Sequence, residues 1–439
     1  MPHVVYKFGG TNLATAENIQ TVCDIICADK PNFVVVSAIA GMTDLLDRFC
    51  SVSLEERPRL LQEFKDKHEQ IIKELGIPFS LLSWMSRLTR YLQQPWLSAL
   101  DSASILALGE DLSASLVHTV CHIRGLALGF LEARSIILTD DHYNCATPDV
   151  IRMQKKWHHL RLYQECYITQ GFIGASRSGD TTLLGRGGSD YTAALIAEMC
   201  GAYEVRIYTD VNGIYTMDPK IIEDAQQIPE LSFEEMKNLA TFGAKVLYPP
   251  MLAPCIRAGI PIFVTSTFDP IKGGTWIYAM DKTIRDEPCV KALSLRQHQS
   301  FCSIDYSLLG HRGLDEVLRI LESYEILPEL MTAQGNVVTF IIDDALISKE
   351  AQEHLVAVLS SFSLIRLYHD LALVTMIGDG LSSPKVVSTI TEKLYNLPWP
   401  ILCCCQSQMS LSFVVSAELA EDIVQQFHND YVKQNILVV

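Results

Sequence analysis

The chain has 439 residues, 49% of them hydrophobic and 20% charged, with a formal net charge of −16 at pH 7. That length outgrows a single hydrophobic core and predicts two or three domains, and the composition excludes a disordered chain. The acidity argues against a nucleic-acid or anionic-membrane surface, so any polyanion would be met by a few placed Lys and Arg residues and backbone N–H groups.

In chain order, Val4-Val5-Tyr6 and Phe33-Val34-Val35-Val36 are unbroken apolar runs, as expected of strands buried on both faces; Ala16 to Ile26 between them reads as a helix. From about Leu54 to Leu128 the chain is polar, Leu-rich and helical in period, and Val205 to Tyr208 and Ile260 to Val264 are further strand runs. This alternation predicts an α/β layer, with a mostly parallel sheet sandwiched by helices, over residues 1–288. Beyond Pro288, strands at Phe301–Ile304, Val337–Ile342 and near Leu364 alternate with helices at Leu314–Leu321 and Glu350–Leu359. The order then begins again, with strands at Leu371–Ile377, Ile401–Cys405, Leu411–Val415 and Ile436–Val439 and helices at Val386–Leu394 and Leu419–Phe427. Two ferredoxin-like α+β modules in tandem, residues 289–366 and 367–439, are the simplest account, with the last strand able to return to the first module.

Several segments carry candidate chemistry. Lys7-Phe8-Gly9-Gly10-Thr11 closes the first strand, where paired glycines let backbone N–H groups approach a polyanion and the lysine adds charge; a tight turn beside a surface lysine fits equally well. Gly185-Arg186-Gly187-Gly188-Ser189-Asp190 precedes a helical run, with Ser189 or Asp190 as a natural N-cap and the helix start as an anion site. Capping alone explains neither the glycines nor the arginine. Thr209-Asp210-Val211-Asn212-Gly213-Ile214-Tyr215, followed by Asp218-Pro219-Lys220, lies beyond a strand end, where open α/β sheets bind ligands, although an ordinary Asn-Gly turn is the competing reading. Phe242-Gly243-Ala244-Lys245-Val246-Leu247 sets a lysine beside a glycine. Ser37 and Thr43 flank a small-residue loop, and Glu110 could meet an ammonium group; helix-cap hydroxyls and a solvated helix carboxylate are the plainer alternatives.

The absences narrow the choice. There is no P-loop, no protein-kinase H-R-D and D-F-G pair, no G-x-S-x-G elbow and no H-E-x-x-H zinc helix. No metal-ligating cluster is expected. The 13 cysteines, Cys403-Cys404-Cys405 among them, lack C-x-x-C spacing and read as reduced thiols of a cytoplasmic protein. No apolar run approaches the roughly 18 residues of a membrane span, and the start shows no signal-peptide layout.

In their order these segments resemble the amino-acid kinase family, and within it the aspartate kinases, over the first 290 or so residues; the tail resembles the paired ACT domains that follow the kinase domain there. The resemblance implies transfer of the ATP γ-phosphoryl group to the side-chain carboxylate of L-aspartate, giving 4-phospho-L-aspartate on the way to lysine, diaminopimelate, threonine and methionine. Lys7 would stabilise the transferring group and Asp190 would orient Lys7. Arg186 would clamp the α-carboxylate, Glu110 would take the α-ammonium, and Ser37, Thr43 and Ser189 would complete the pocket. Gly9, Gly10, Thr209, Asp210, Tyr215, Lys220, Lys245 and Val246 would hold the nucleotide, with Mg²⁺ bound chiefly to phosphates and water. A carboxylate nucleophile of pKa about 3.9 is already ionised, so no general base is required and catalysis reduces to positioning and charge neutralisation.

Two departures stand out: Asn12 replaces the serine that follows the first threonine in the family, and Asp111 follows Glu110 where an apolar residue is usual. The ACT-like tail implies an end-product effector and a homodimer or dimer of dimers. Lysine is the effector of the class this layout resembles, although Asp315, Leu327-Pro328-Glu329 and Ala333-Gln334 replace residue types of lysine-binding members. Phosphorylation of glutamate or acetylglutamate by the same fold, and a non-catalytic amino-acid sensor, are the competing readings.

Overall fold

The computed structural model describes residues 3–243, 247–280, 289–324, 326, 328–395 and 403–433. The chain forms two compact units: Met1–Ile214, Gln227–Met236 and Lys245–Met280 make the first, and Tyr215–Gln226, Lys237–Ala244 and Asp281–Val439 the second.

The first unit opens with β1 (Val4–Phe8), α1 (Ala16–Asp29), β2 (Phe33–Val36), α2 (Met42–Ser51), α3 (Arg57–Leu75), α4 (Leu82–Thr89), α5 (Ala99–Leu106) and α6 (Leu108–Ile123). It continues with β3 (Leu128–Phe130), α7 (Val150–His158), β4 (Cys166–Gln170), β5 (Ile173–Ala175), β6 (Thr181–Leu183), α8 (Gly188–Cys200) and β7 (Glu204–Thr209). After β8 (Ile214–Tyr215) come β9 (Gln227–Ile228), β10 (Glu230–Ser232), α9 (Phe233–Phe242), α10 (Leu252–Ala258), β11 (Ile262–Ser266) and β12 (Gly274–Tyr278). The main sheet has eight strands in the order β10-β12-β11-β7-β1-β2-β4-β3, parallel except for the antiparallel pair β11–β12.

The predicted mostly parallel sheet is therefore present, and for the expected reason. Every residue of β2 is buried, which only helices on both faces can provide. Tyr6, Phe8, Val34 and Val36 point into a core built with α1, α2, α3 and α6, while α8 covers β1, β2 and β7 from the other side. Register aligns Phe8 with Val36 and Tyr208, and Val36 with Gln170, so four strands end side by side.

The second unit carries one antiparallel sheet of six strands. In chain order its elements are β13 (Cys289–Asp305), α11 (Gly313–Ser323), β14 (Glu329–Gln334), β15 (Val337–Asp343), α12 (Lys349–Ser360) and β16 (Leu364–Asp379). They are followed by α13 (Pro384–Tyr395), β17 (Cys403–Gln406), β18 (Ser410–Ser416) and α14 (Ala417–Phe427). All four expected helices are found, but the strands differ. The runs expected near Leu364 and at Leu371–Ile377 are one strand, β16, which passes through Asp370 at φ 55 while its register with β13 slips around Gln299. Polar Tyr368-His369-Asp370 conceals that continuity in the sequence.

As a result β13 and β16 run through both modules: the amino-terminal half of β13 pairs with residues 371–379 and its carboxyl-terminal half with β15. The edge strand β14 was not expected, because residues 331–334 are exposed and show no apolar face. The strand expected at Ile436–Val439 lies outside the described residues, as do Ile401, Leu402 and Leu327.

Candidate active site

The aligned strand ends bring the glycine-bearing loops of the first unit together. Lys7, on β1, is 9% exposed, and its Nζ lies 2.6 Å from Asp190 Oδ1 in the first turn of α8. Their proximity is tertiary, because the parallel pairing of β1 with β2 and β7 sets the lysine near the carboxyl ends of the central strands, where α8 starts. The expected cap is different: α8 begins at Gly188 with Gly187 as N-cap, at φ 66. Neither Ser189 nor Asp190 caps the helix, which leaves both side chains to the site. A Cβ on Gly187 would come within 2.2 Å of Tyr248 Cβ, and one on Gly188 within 2.7 Å of Phe172 Cδ2, so close packing as well as backbone angle demands glycine here.

The loops after β1 and β2 lie against each other. Ala40 N–H donates to Gly10 O at 3.1 Å and Ser37 N–H to Phe8 O at 3.1 Å, while a Cβ on Gly10 would sit 2.8 Å from Ala38 O. Asn12, the first departure from the family pattern, ties this loop to the end of β7 through its Nδ2, which donates to Tyr208 O at 2.7 Å. Thr43 is half-buried in the first turn of α2, whose N-cap is Gly41 at φ 79, so its hydroxyl is not the capping group.

Glu110 enters the same region from the first turn of α6. It is 3% exposed; Oε1 accepts from Ala38 N–H at 3.1 Å, and Oε2 has no partner among the described residues. Burial pushes its carboxyl up to about 8, with Asp111 adding to the rise and the Ala38 N–H opposing it. Ser113 Oγ donates to Ser37 O at 2.7 Å, fixing α6 to the β2 loop. Ser189 packs where β4 ends, since a Cβ on Gly171 would fall 2.5 Å from its Oγ. Arg186 is exposed and makes no ion pair among the described residues.

After β7, Thr209 Oγ donates to Asp210 Oδ1 at 3.0 Å, and Gly213, at φ 111, packs against Thr275. Tyr215 and Lys220 lie in the excursion that belongs to the second unit, where Lys220 N–H donates to Asp218 Oδ1 at 2.9 Å. Lys245 and Val246 lie outside the described residues. The structure thus gathers Lys7, Gly9, Gly10, Ser37, Glu110, Ser189 and Asp190 at one sheet edge.

Sequence reasoning missed the network beside it. Asp111, the second departure, takes a two-pronged bond from Arg134 at 2.9 and 3.1 Å, a bond from Arg87 at 3.2 Å, and the Gln170 amide at 3.1 Å. Arg134 Nε also donates to Thr181 Oγ at 2.9 Å. No spacing in the chain announces an acid whose bases come from other elements. Among the described residues no group of three or more His, Cys, Asp or Glu could hold a metal ion, and no helix is long and apolar enough to cross a membrane.

Comparison with known proteins agrees with this geometry. Residues 2–266 match the Amino acid kinase family. The chain is 67% identical to an aspartokinase of Chlamydia pneumoniae over 100% of both chains. It superposes on Escherichia coli aspartokinase III in complex with aspartate and ADP (R-state) with a TM-score of 0.84 and 33% identity, covering 98% of this chain and 99% of that one. Against the same Escherichia coli enzyme with lysine and aspartate (T-state), the TM-score is 0.82 at 32% identity, covering 98% and 100%.

Proposed function

The chain belongs to the amino acid kinase family and uses ATP to phosphorylate L-aspartate, and from that premise we propose how its residues divide the work. The observation that carries the assignment is the nearly buried Lys7–Asp190 pair, 2.6 Å apart at the end of β1. Asp190 keeps the lysine aimed, and the ammonium meets the oxygens of the transferring phosphoryl group as charge builds on them. The backbone N–H of Gly10 faces the same polyanion, where a side chain would obstruct it, while Gly9 N–H donates to Tyr208 O at 3.4 Å and holds the turn.

Glu110 receives the α-ammonium of aspartate. Its buried Oε2, without a partner among the described residues, is a poor place for a charge until a cation arrives, and the ammonium then favours the ionised form. Arg186, without an ion pair of its own among the described residues, clamps the α-carboxylate in the two-pronged geometry that suits guanidinium. Ser37, Thr43 and Ser189 direct the side-chain carboxylate. That carboxylate is ionised at neutral pH and attacks without a general base.

Thr209, Asp210, Tyr215 and Lys220 hold the nucleoside end, and the segment with Lys245 and Val246 approaches the phosphates. Mg²⁺ belongs to this reading as the counter-ion of the triphosphate. With no carboxylate cage among the described residues, it would keep mostly phosphate and water oxygens in its shell and neutralise the charge there.

Residues 1–288 are the catalytic part, and 289–366 and 367–439 two ACT-like modules that bind an end-product amino acid, lysine first, and pair the chain into a homodimer or dimer of dimers. The lysine complex of the Escherichia coli enzyme supports that choice of effector. A cytoplasmic reaction fits this reading, because ATP is its substrate and the 13 cysteines lack the spacing of a disulfide framework. Coupled ADP release with aspartate, glutamate and acetylglutamate tests the activity: release should need aspartate, and release with either alternative instead would overturn the assignment. Thermal shift and inhibition by lysine, threonine and methionine test the effector, and no response to any of them removes it.

A further inference from the structure

The excursion Tyr215–Gln226 leaves the first unit at one strand end and folds into the second. Met217 and Ile222, 3% and 0% exposed, lie in a core with Val290, Leu293, Val374 and Phe427. Thr216 is the best-anchored residue of the segment. Its carbonyl accepts from Leu293 N–H at 2.8 Å, its N–H donates to Gln226 O at 2.8 Å, and its Oγ accepts from Gln226 N–H at 2.9 Å. The same Oγ shares a 2.9 Å hydrogen bond with Nε2 of His428, which is fully buried just beyond α14. Five residues on, Lys433 pairs with Asp224 at the far end of the excursion.

His428 is unusual for a packing residue. Its other ring nitrogen, Nδ1, is buried with no partner among the described residues, so the ring is held for the one bond it makes to Thr216. An apolar residue of similar size would fill the space without stranding a nitrogen. The bond fixes a backbone from which Tyr215 projects one residue before and Lys220 four residues after.

We propose that His428 is a positioning residue for the nucleotide: by holding Thr216 it keeps the loop bearing Tyr215 and Lys220 in its binding shape, so the carboxyl-terminal turn of the chain sets affinity for ATP. This rests on the reading above that Tyr215 and Lys220 hold ATP. A loop ordered before the ligand arrives spares binding the entropy of ordering it, and a loop released from Thr216 does not.

Steady-state kinetics and ADP calorimetry on the full-length enzyme test the idea. His428→Ala should raise the KM for ATP and the Kd for ADP about tenfold, the loss expected for one buried hydrogen bond. The kcat and the KM for aspartate should stay within about twofold. His428→Gln, which can place a polar atom near the Nε2 position, should recover most of the loss. An unchanged KM for ATP in folded His428→Ala, or an equal fall in every kinetic parameter without rescue by Gln, overturns the proposal.

If His428→Ala does not fold, Lys433→Met at the more exposed end of the same clasp decides. It should weaken ADP two- to threefold, roughly the value of a partly exposed ion pair, and no change overturns the idea. Lys220→Ala separates the two readings. If it leaves ADP binding intact, the nucleotide assignment fails and the proposal with it; if it weakens ADP while His428→Ala does not, only the positioning role fails.

Discussion

The strand-end site of the first unit and two side-chain clusters on the sheet of the second, around Arg296 and Ser300, treat polar groups in opposite ways. At the strand ends, Glu110 keeps one carboxylate oxygen unpartnered and Arg186 has no ion pair, both among the described residues. In the second unit Arg296 is closed on both sides, by Glu329 at 2.5 Å and Asp343 at 2.8 Å, and Ser300 sits between Asp344 and His369, each at 2.8 Å. A buried polar group without a partner costs about 1–3 kcal/mol, so it persists where a ligand supplies the partner. Polar groups that saturate one another hold structure, whereas Glu110 and Arg186 are left incomplete where aspartate is proposed to bind; incompleteness alone is not enough, because Gln299 Oε1 and His428 Nδ1 in the second unit are also without partners among the described residues. The contrast exists even between neighbours on α6: Glu110 is incomplete, and Asp111 is saturated by Arg134, Arg87 and Gln170.

That contrast can be broken experimentally, and the largest effect should come from the phosphoryl side. Lys7→Ala should lower kcat by about a thousandfold or more in the folded enzyme, the scale of removing a charge-stabilising donor, a loss far beyond any fall in stability from leaving Asp190 unpaired. Wild-type turnover in that variant would remove the lysine from the chemistry. On the saturated side, Arg134→Ala should instead lower stability, by about 3 kcal/mol in urea unfolding, because it leaves Asp111 buried with weaker compensation. An unaltered midpoint would show that the network is not structural.

Glu110→Gln sharpens the comparison with a smaller effect, about 2 kcal/mol in aspartate binding, or roughly 30-fold in its KM, since the charge-assisted bond is lost. Its pH signature has a definite sign. Burial pushes the folded carboxyl up from its ordinary 4.5 to about 8, so the folded state favours the extra proton. This contribution to stability is full below about 4.5 and is lost as pH rises to about 8. Glu110→Gln should flatten that part of the stability profile without ligand. Aspartate binding near pH 7 should release a proton in the wild type and none in the variant, which calorimetry in buffers of different ionisation enthalpy will measure. Proton release unchanged by the substitution would place the ammonium elsewhere. Lys65→Ala is expected to have the smallest effect, within about 0.5 kcal/mol, because the Lys65–Glu69 pair is largely solvated.

Much of the site was legible because its parts are local. Paired glycines after a buried strand, and a glycine run with an arginine before a helix, signal close backbone approach wherever they occur. Legibility stopped where partners come from distant segments. Ser189 and Asp190 read as caps, but Gly187 starts the helix and Asp190 meets Lys7 instead. Asp111 read only as a departure from the family pattern, yet it is held by two arginines and an amide from three other elements of the chain. Asn12 read as a departure from the family pattern and proves to tie its loop to the end of β7.

The same division runs through the whole chain. Periodicity and turn chemistry act over a few residues, so the sequence by itself determined the buried parallel strands, all four helices of the second unit and the loops that carry the glycines. Tertiary structure decided the rest: the fusion of two expected strands into β16, the sharing of β13 by both modules, and the inclusion of residues 215–226 in the second unit, anchored by Thr216, Met217 and Ile222. Those outcomes depend on which surfaces meet, and hydrogen bonds such as Thr216 to His428 join groups whose separation along the chain leaves no periodic trace.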